Sequence, residues 1–172
     1  MATRPPPERD RLQPALLDRL IDEAPDQQTE PASARVLTKQ QMRQAVLRDL
    51  AWLLNAVQPP DIDAERAPFA AASVLNYGLP PLAGAQTSTL DVATLEQNVR
   101  KAIVQFEPRI LPDSLRVRAL EEASVLNTHN QIALEITGLL WSQPVPLEVM
   151  IRTDLDLETG QVDVRDANRA VS

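Results

Sequence analysis

Carboxylate and guanidinium side chains meet in the segment FEPRIL, residues 106–111, which offers the clearest candidates for chemistry in this sequence. Glu107 directly follows Phe106, and burial beside an aromatic ring can keep a carboxyl protonated, as a general acid requires. Asp113 supplies a nearby second carboxylate, and two carboxylates flanking a sugar bond are what glycoside hydrolysis needs. Arg109 opposes this interpretation, because a neighbouring guanidinium favours an ionised Glu107, which has no proton to donate.

Two interpretations without catalysis fit the same segment. In the first, Pro108 ends a helix and Glu107 is solvated, so that its pairing with Arg109 at the surface contributes about 0.5 kcal/mol. In the second, the proline makes a rigid corner that presents Glu107 and Arg109 together to a partner protein. Rigid side chains lose little entropy on docking and therefore make good interface anchors. From the residues alone, both interpretations stand.

The composition removes most other kinds of catalytic site. The chain has no cysteine and one histidine, which excludes thiolate nucleophiles and metal centres rich in cysteine or histidine. That histidine, His129, lies in a polar segment between two predicted strands, where it is best read as a solvated hairpin residue. The four glycines form no GxGxxG or Walker-type phosphate-binding motif. We therefore expect no metal and no cofactor.

The charge balance argues against nucleic acid as a partner. Seventeen basic residues stand against 24 acidic ones, which gives a net charge of -7 and no positive field to attract phosphates. The basic residues are nearly all arginines, which favour protein interfaces. No secretory signal and no apolar stretch of bilayer length is present, so we expect a cytoplasmic protein without direct membrane insertion.

Two main helices are predicted ahead of a sheet. Thr38 and Gln41 fit a capping box, and apolar residues then recur at helical spacing, so residues 38–56 are predicted to be a helix. A second amphipathic helix ends at Pro108. Its candidate N-caps are Ser88, Thr89 and Asp91.

The hydrophobic period changes to two after residue 114. The segments LRVRA, QIALEI and VPLEVMI alternate as strands, and a fourth segment, QVDV, follows Gly160, which can supply the positive φ of a hairpin turn. This order predicts an α+β fold, with N-terminal helices packed on one face of a C-terminal three- to four-stranded, mainly antiparallel sheet.

Individual residues are given expected positions on this fold. Arg48 and Asp49 are expected on a solvated helix face, and Pro146 suggests that Val145–Asp154 is an edge strand. Tyr77 could lie in the core or at a contact, while Asn76 and Gly78 are expected to form a turn. The apolar residues expected in the core include Trp52, Leu53, Val74, Leu75 and Leu79.

Proline divides the chain into an arm and a folded region. We predict a flexible proline-rich arm over residues 1–37 with a short docking segment at 15–22, one α+β domain at 38–166 and a tail at 167–172. The docking segment has an apolar patch with little core of its own, so it is expected to pack against a partner. That patch consists of Leu16, Leu17 and Leu20.

Five segments in this order resemble a known family. They are LLDRL, RDLAWLLN, SVLNYGLPPLAG, FEPRIL and TGQVDV. Together they resemble the TssE subunits of the bacterial type VI secretion baseplate, which belong to a wider family of phage-tail baseplate wedge proteins labelled lysozyme-like. The resemblance covers nearly all of residues 16–165, and SVLNYGLP combined with FEPR makes it specific.

The resemblance implies a structural protein without enzymatic activity. It implies a cytoplasmic wedge subunit at the membrane-docked baseplate, joined to TssF and TssG near TssK, that seeds the contractile sheath of TssB and TssC. The Glu-Pro-Arg motif of the family matches Glu107, Pro108 and Arg109, and the resemblance implies that these residues make the assembly contact. The C-terminal strands add a second kind of contact, because a sheet edge can accept a strand from another subunit.

Two other functions stay open at this point. The first is a peptidoglycan-cleaving hydrolase that uses Glu107 as the acid and Asp113 as the second carboxylate. The second is a small regulatory adaptor on the same fold, which binds a single partner outside any secretion machine.

Overall fold

The computed structural model describes residues 15–20, 26, 37–59, 65–82, 91–120, 131–142 and 145–167. Several predicted features lie outside these residues. They are most of the arm, His129, the candidate caps Ser88 and Thr89, and the tail after residue 167.

The two main helices begin at the caps that the sequence predicts. Helix α2 spans Lys39–Asn55, and its N-cap Thr38 forms a capping box with Gln41: the Gln41 N–H donates to Thr38 Oγ1 at 3.2 Å, and the Thr38 N–H donates to Gln41 Oε1 at 2.9 Å. Helix α4 spans Val92–Phe106, and the Asp91 carboxylate accepts from the Ala93 N–H at 3.1 Å. Both helix predictions are confirmed.

Three short helical segments accompany them. Helix α1 spans Leu16–Leu20, α3 spans Pro68–Ala71, and a 3-10 turn follows at Val74–Asn76. Pro68 stands at the first turn of α3, where its missing N–H costs nothing.

The sheet has four antiparallel strands in the order β1-β2-β3-β4. Gly160 adopts φ 74° in the turn before the last strand, as predicted. The helices all precede the sheet along the described chain, so the α+β prediction is confirmed. The strands are β1 Arg116–Ala119, β2 Gln131–Leu140, β3 Leu147–Asp156 and β4 Val162–Asp166.

The prediction of an edge strand at Val145–Asp154 is wrong. Strand β3 pairs with β2 along its whole length and with β4 from Ile151 to Leu155, so it is central. Pro146 precedes the first paired residue, Leu147, and therefore removes no ladder bond. The edges of the sheet are β1 and β4.

One hydrophobic core joins the helices to one face of the sheet. Its members alternate along the strands and recur at helical spacing on α2 and α4. The opposite face carries polar residues, with Glu135 paired in register between Arg118 and Arg152. The most deeply buried core side chains include Val46, Leu50, Leu95, Ile103, Ile136, Leu140 and Ile151.

Candidate functional site

The Glu-Pro-Arg segment forms a tight corner where α4 ends. The Glu107 N–H still donates to the Ile103 carbonyl at 2.8 Å, which makes Glu107 the C-cap of the helix. Pro108 cannot donate to a further helical turn, and the Ile110 N–H instead donates to the Glu107 carbonyl at 3.2 Å. The corner therefore places Glu107 and Arg109 side by side.

Glu107 and Arg109 form an ion pair in which the carboxylate is buried and the guanidinium is partly buried. The Arg109 Nε donates to Glu107 Oε1 at 2.6 Å and its Nη2 donates to Oε2 at 2.5 Å, while the Arg109 N–H adds a bond to Oε1 at 3.2 Å. Glu107 is only 3% exposed. The first interpretation of this segment, with a solvated Glu107, is therefore wrong, because the corner turns the carboxylate inward onto the guanidinium.

Asp49 extends this pair to helix α2. Its Oδ2 accepts from Arg109 Nη2 at 2.5 Å, and its Oδ1 accepts from Arg48 Nε at 3.0 Å. The expectation that Arg48 and Asp49 lie on a solvated face is wrong, since both side chains are less than one-third exposed. Asp49 thus bridges two arginines from different parts of the chain.

Helix α1 joins the same network. Asp18 accepts from Arg48 Nη1 at 2.5 Å, and the Arg48 guanidinium lies 5.1 Å from the centroid of the Trp52 ring, a cation–π distance. We call the five linked residues the charge cluster: Asp18, Arg48, Asp49, Glu107 and Arg109. Three carboxylates and two guanidiniums meet in this cluster.

The charge cluster keeps its arginines charged. Burial alone would lower the pKa of Arg109, but hydrogen bonds and Coulombic attraction from Glu107 and Asp49 outweigh it and raise the pKa further above its ordinary range. The hydrogen bond to Asp18 likewise raises the pKa of Arg48. Burial, followed by repulsion from Asp49 and Glu107, raises the pKa of Tyr77.

An aromatic cleft of about 430 Å³ opens beside the charge cluster. Trp52, Tyr77 and Phe106, three of the chain's five aromatic residues, line it together with Pro108. The Tyr77 and Phe106 rings meet edge to face, with centroids 5.2 Å apart. Trp52 is 51% exposed, so its expected place in the core is wrong, whereas Leu53 is buried as predicted.

The motif SVLNYGLP positions Tyr77 in this cleft. Gly78 adopts φ 116°, a left-handed conformation that allows the next residues to return to the end of α2. There the Leu79 N–H donates to the Ala56 carbonyl and the Gln58 N–H donates to the Leu79 carbonyl, both at 2.8 Å. The turn prediction for Gly78 is confirmed, and Leu79 is buried as expected.

Val74 and Leu75 are not core residues, contrary to expectation. They are 78% and 66% exposed, and Phe69 on the neighbouring helix is 90% exposed. Side-chain bonds hold this turn in place: Ser73 Oγ donates to the Ala70 carbonyl at 2.8 Å, and Asn76 Nδ2 donates to the Ala71 carbonyl at 3.1 Å. The turn thus fixes apolar side chains in solvent, a feature that hydrophobicity alone could not reveal.

Helix α1 turns its acidic side chain inward and its leucines outward. Asp18 pairs with Arg48, while Leu16 and Leu20 are each 73% exposed and Leu17 is 41% exposed. Exposed leucines fit the predicted docking role, which stays a prediction.

The remaining sequence candidates stand apart from the cluster. Asp113 is exposed in the turn before β1, where its carbonyl accepts from Arg116 at 3.0 Å. Within the described residues, no group of acidic or histidine side chains could hold a metal ion. Both oxygens of Glu107 are occupied by Arg109, so the carboxylate is not presented as a general acid would be.

Comparison with known proteins decides the family. The sequence profile of the family described as baseplate wedge protein gp25 matches residues 40–145, more than half of the chain. The chain belongs to this family. No curated protein and no solved structure matches it.

Membership in the gp25 family gives the chain a structural role in a baseplate and implies contacts with other baseplate components. It also confirms the resemblance to the TssE-type wedge subunits. The matched region contains four of the five charge-cluster residues and all three aromatics of the cleft, whereas α1 lies outside it. Among the described residues of this wedge protein, no helix is long and apolar enough to cross a bilayer.

Acid is expected to release α1 from this gp25-family protein. The hydrogen bond from Arg48 lowers the pKa of Asp18 below its ordinary value of 3.8. Such a carboxyl contributes its full stabilisation of the folded state above its unfolded-state pKa of about 4. This contribution is lost as the pH falls through the pKa of the carboxyl in the folded protein. Docking of α1 should thus be constant near neutral pH and weaken below about pH 4.

Trp52 fluorescence reports this release, because Arg48 lies over its ring. The measurement uses a Trp141→Phe background, so that Trp52 is the single tryptophan. Asp18→Asn should give the released signal already at neutral pH. An acid transition with the same midpoint in Asp18→Asn would show that Asp18 does not hold α1.

Proposed function

We propose that this gp25-family chain is a wedge subunit of a type VI secretion baseplate that seeds the contractile sheath. The family match over residues 40–145 supports the baseplate part, and the order of the motifs from LLDRL to TGQVDV favours the type VI class. The observation that supports a contact here is the Glu107–Arg109 ion pair, which holds the exposed Pro108 corner rigid beside the aromatic cleft.

The proposed partners at this corner are TssF and TssG, with TssK nearby. A contact surface gains affinity when its side chains are already ordered, because little rotamer entropy is lost on docking. Here Arg109 is held by Glu107 and Asp49, and Trp52 is covered on one face by Arg48. Aromatic and arginine side chains of this kind dominate the energetics of protein interfaces.

Two further surfaces belong to the proposal. The leucines of α1 would extend the contact from the charge cluster, as the docking segment that the sequence predicts. An edge of the sheet would accept a strand for TssB and TssC assembly, and the edge strands among the described residues are β1 and β4. In this proposal the subunit works in the cytoplasm, at the membrane-docked baseplate.

No observation favours the hydrolase alternative. A glycosidase needs one carboxyl free to protonate the leaving oxygen and a second across the sugar. Glu107 is bound by Arg109 through both oxygens, and Asp113 is exposed on a separate turn. We therefore propose a wedge protein that acts by assembly and carries no catalytic residue.

The test is co-purification from cells that carry the intact secretion machine. A tagged chain with Glu107→Gln and Arg109→Gln removes both charges of the pair without leaving one buried alone. We expect this variant to lose TssF and TssG and to stop sheath assembly, seen as the absence of fluorescent sheaths. Arg118→Ala, an exposed arginine on the opposite face of the sheet, is the matched control and should retain both. Normal partner recovery and normal sheaths in the double variant would contradict the proposal.

A further inference from the structure

The two edges of the sheet are capped by side chains from the helices. At β4, the last residue of α2 is Asn55, whose Nδ2 donates to the Val162 carbonyl at 2.8 Å while its Oδ1 accepts from the Val162 N–H at 2.9 Å. At β1, Glu96 of α4 accepts from the Ala119 N–H at 2.7 Å. Asn55 therefore fills both backbone positions of one strand residue, as a neighbouring strand would.

The register of the last hairpin shows which β4 residues face outward. The Asp156 N–H donates to the Gln161 carbonyl at 2.9 Å. In an antiparallel ladder, bonded and non-bonded positions alternate, so Asp163 and Arg165 also bond toward β3. The residues between them turn their backbone groups away from the sheet. These outward residues are Val162, Val164 and Asp166.

The outward edge of β4 is self-complementary. An antiparallel second copy of β4 centred on Val164 places Val164 opposite Val164, and it places Asp163 of each copy opposite Arg165 of the other. Both charged side chains are exposed on the polar face, where Arg165 donates to Asp163 of its own chain, and in the two-fold arrangement each would also face the opposite charge of the other copy. Val162 of each copy would then pair with Asp166 of the other, which gives an isologous two-fold contact.

We propose that Asn55 blocks this self-pairing. The two-fold arrangement needs the Val162 backbone of both copies, and the Asn55 amide already occupies that N–H and that carbonyl. Only the central Val164 pair would remain, and within the described residues no side chain bonds to the Val164 backbone. A further bond from Asn55 Nδ2 to the Ala51 carbonyl at 2.8 Å fixes the amide on its own helix.

As a consequence, the isolated subunit would stay monomeric until it binds other baseplate subunits. An uncovered strand edge is a template for unwanted pairing, and proteins close such edges with side chains or helices. In this chain α2 supplies the guard, with the neutral amide of Asn55 on Val162 at one end of β4 and the Arg43 guanidinium 3.8 Å from the Asp166 carboxylate at the other. The inference goes beyond the proposed wedge role, since it concerns the isolated chain.

The test is the oligomeric state of the purified chain, measured by size exclusion with light scattering over a range of concentrations. Wild type is expected to be monomeric, and Asn55→Ala is expected to dimerise with a dissociation constant at least about tenfold lower. Asn76→Ala is the matched control, because its amide also donates to a backbone carbonyl, that of Ala71, away from any sheet edge. This control should behave as wild type.

Charge substitutions test the register of the dimer. Adding Arg165→Asp to Asn55→Ala places like charges opposite each other and should abolish the dimer, and adding Asp163→Arg as well should restore it. If circular dichroism shows that Asn55→Ala is unfolded, Asn55→Asp takes its place in the test. This variant keeps the acceptor for the Val162 N–H and loses the donor to the Val162 carbonyl, so it is also expected to dimerise. A folded variant that stays monomeric, or a dimer indifferent to the charge substitutions, would overturn the proposal. Neither result bears on co-purification with baseplate subunits.

Discussion

Arg109→Ala is expected to lower the free energy of unfolding by about 3 kcal/mol, measured by urea denaturation at neutral pH. Glu107 is only 3% exposed, and Arg109 supplies all the side-chain hydrogen bonds to its carboxylate among the described residues. Removing the guanidinium leaves a buried carboxylate without its counter-charge, which costs more than the pair contributed. Asp49 would also keep only one of its two arginines.

Two matched variants show whether the loss of stability comes from the unpaired Glu107 charge or from the removal of an arginine side chain. Arg118→Ala removes an exposed arginine of the sheet and should change the free energy of unfolding by less than about 0.5 kcal/mol. The double variant with Glu107→Gln and Arg109→Gln removes both charges and should fall within about 1 kcal/mol of wild type. Equal losses in Arg109→Ala and in the double variant would show that the guanidinium does not act by compensating Glu107.

Gly78→Ala is expected to lower the free energy of unfolding by about 3 kcal/mol, because two costs combine. The residue adopts φ +116°, which side chains with a Cβ rarely reach, and an added Cβ would lie 2.3 Å from the Ala56 carbonyl oxygen. That oxygen accepts from the Leu79 N–H and belongs to the backbone, so it cannot move aside without breaking the link to α2.

Gly160→Ala is the control for the Gly78 prediction. Gly160 also has a positive φ, at 74°, but in an ordinary left-handed turn conformation, so alanine there should cost about 1 kcal/mol. Gly78→Ala should also loosen the Tyr77–Phe106 contact and change the near-ultraviolet circular dichroism of the aromatic cleft. Equal thermal stability of the two variants would contradict the steric argument.

Features set by near neighbours in the chain could be predicted from the sequence. The capping box of Thr38 and Gln41, the helix end at Pro108 and the hairpin turn at Gly160 each depend on residues a few positions apart. Alternating hydrophobicity likewise predicted the four strands, since one face of an antiparallel sheet is buried. These local signals were enough for the α+β fold.

Features set by distant residues could not be predicted in this way. Asp49 and Arg109 are 60 positions apart, and nothing in the pattern around either residue indicates that α2 and the end of α4 meet there. The same holds for Asn55 and Val162, 107 positions apart. The core position predicted for Trp52 is wrong because helical spacing predicts which face of α2 is apolar. It does not predict which part of that face is covered by another element.

In the proposed assembly, the rigid Glu107–Arg109 corner contacts the wedge subunits. The direct test is calorimetric titration of a purified TssF–TssG complex with wild type and with the double variant Glu107→Gln and Arg109→Gln, after their stabilities have been shown to match. We predict at least about tenfold weaker binding by the double variant and unchanged binding by Arg118→Ala. Equal affinity of the double variant and wild type would contradict the account.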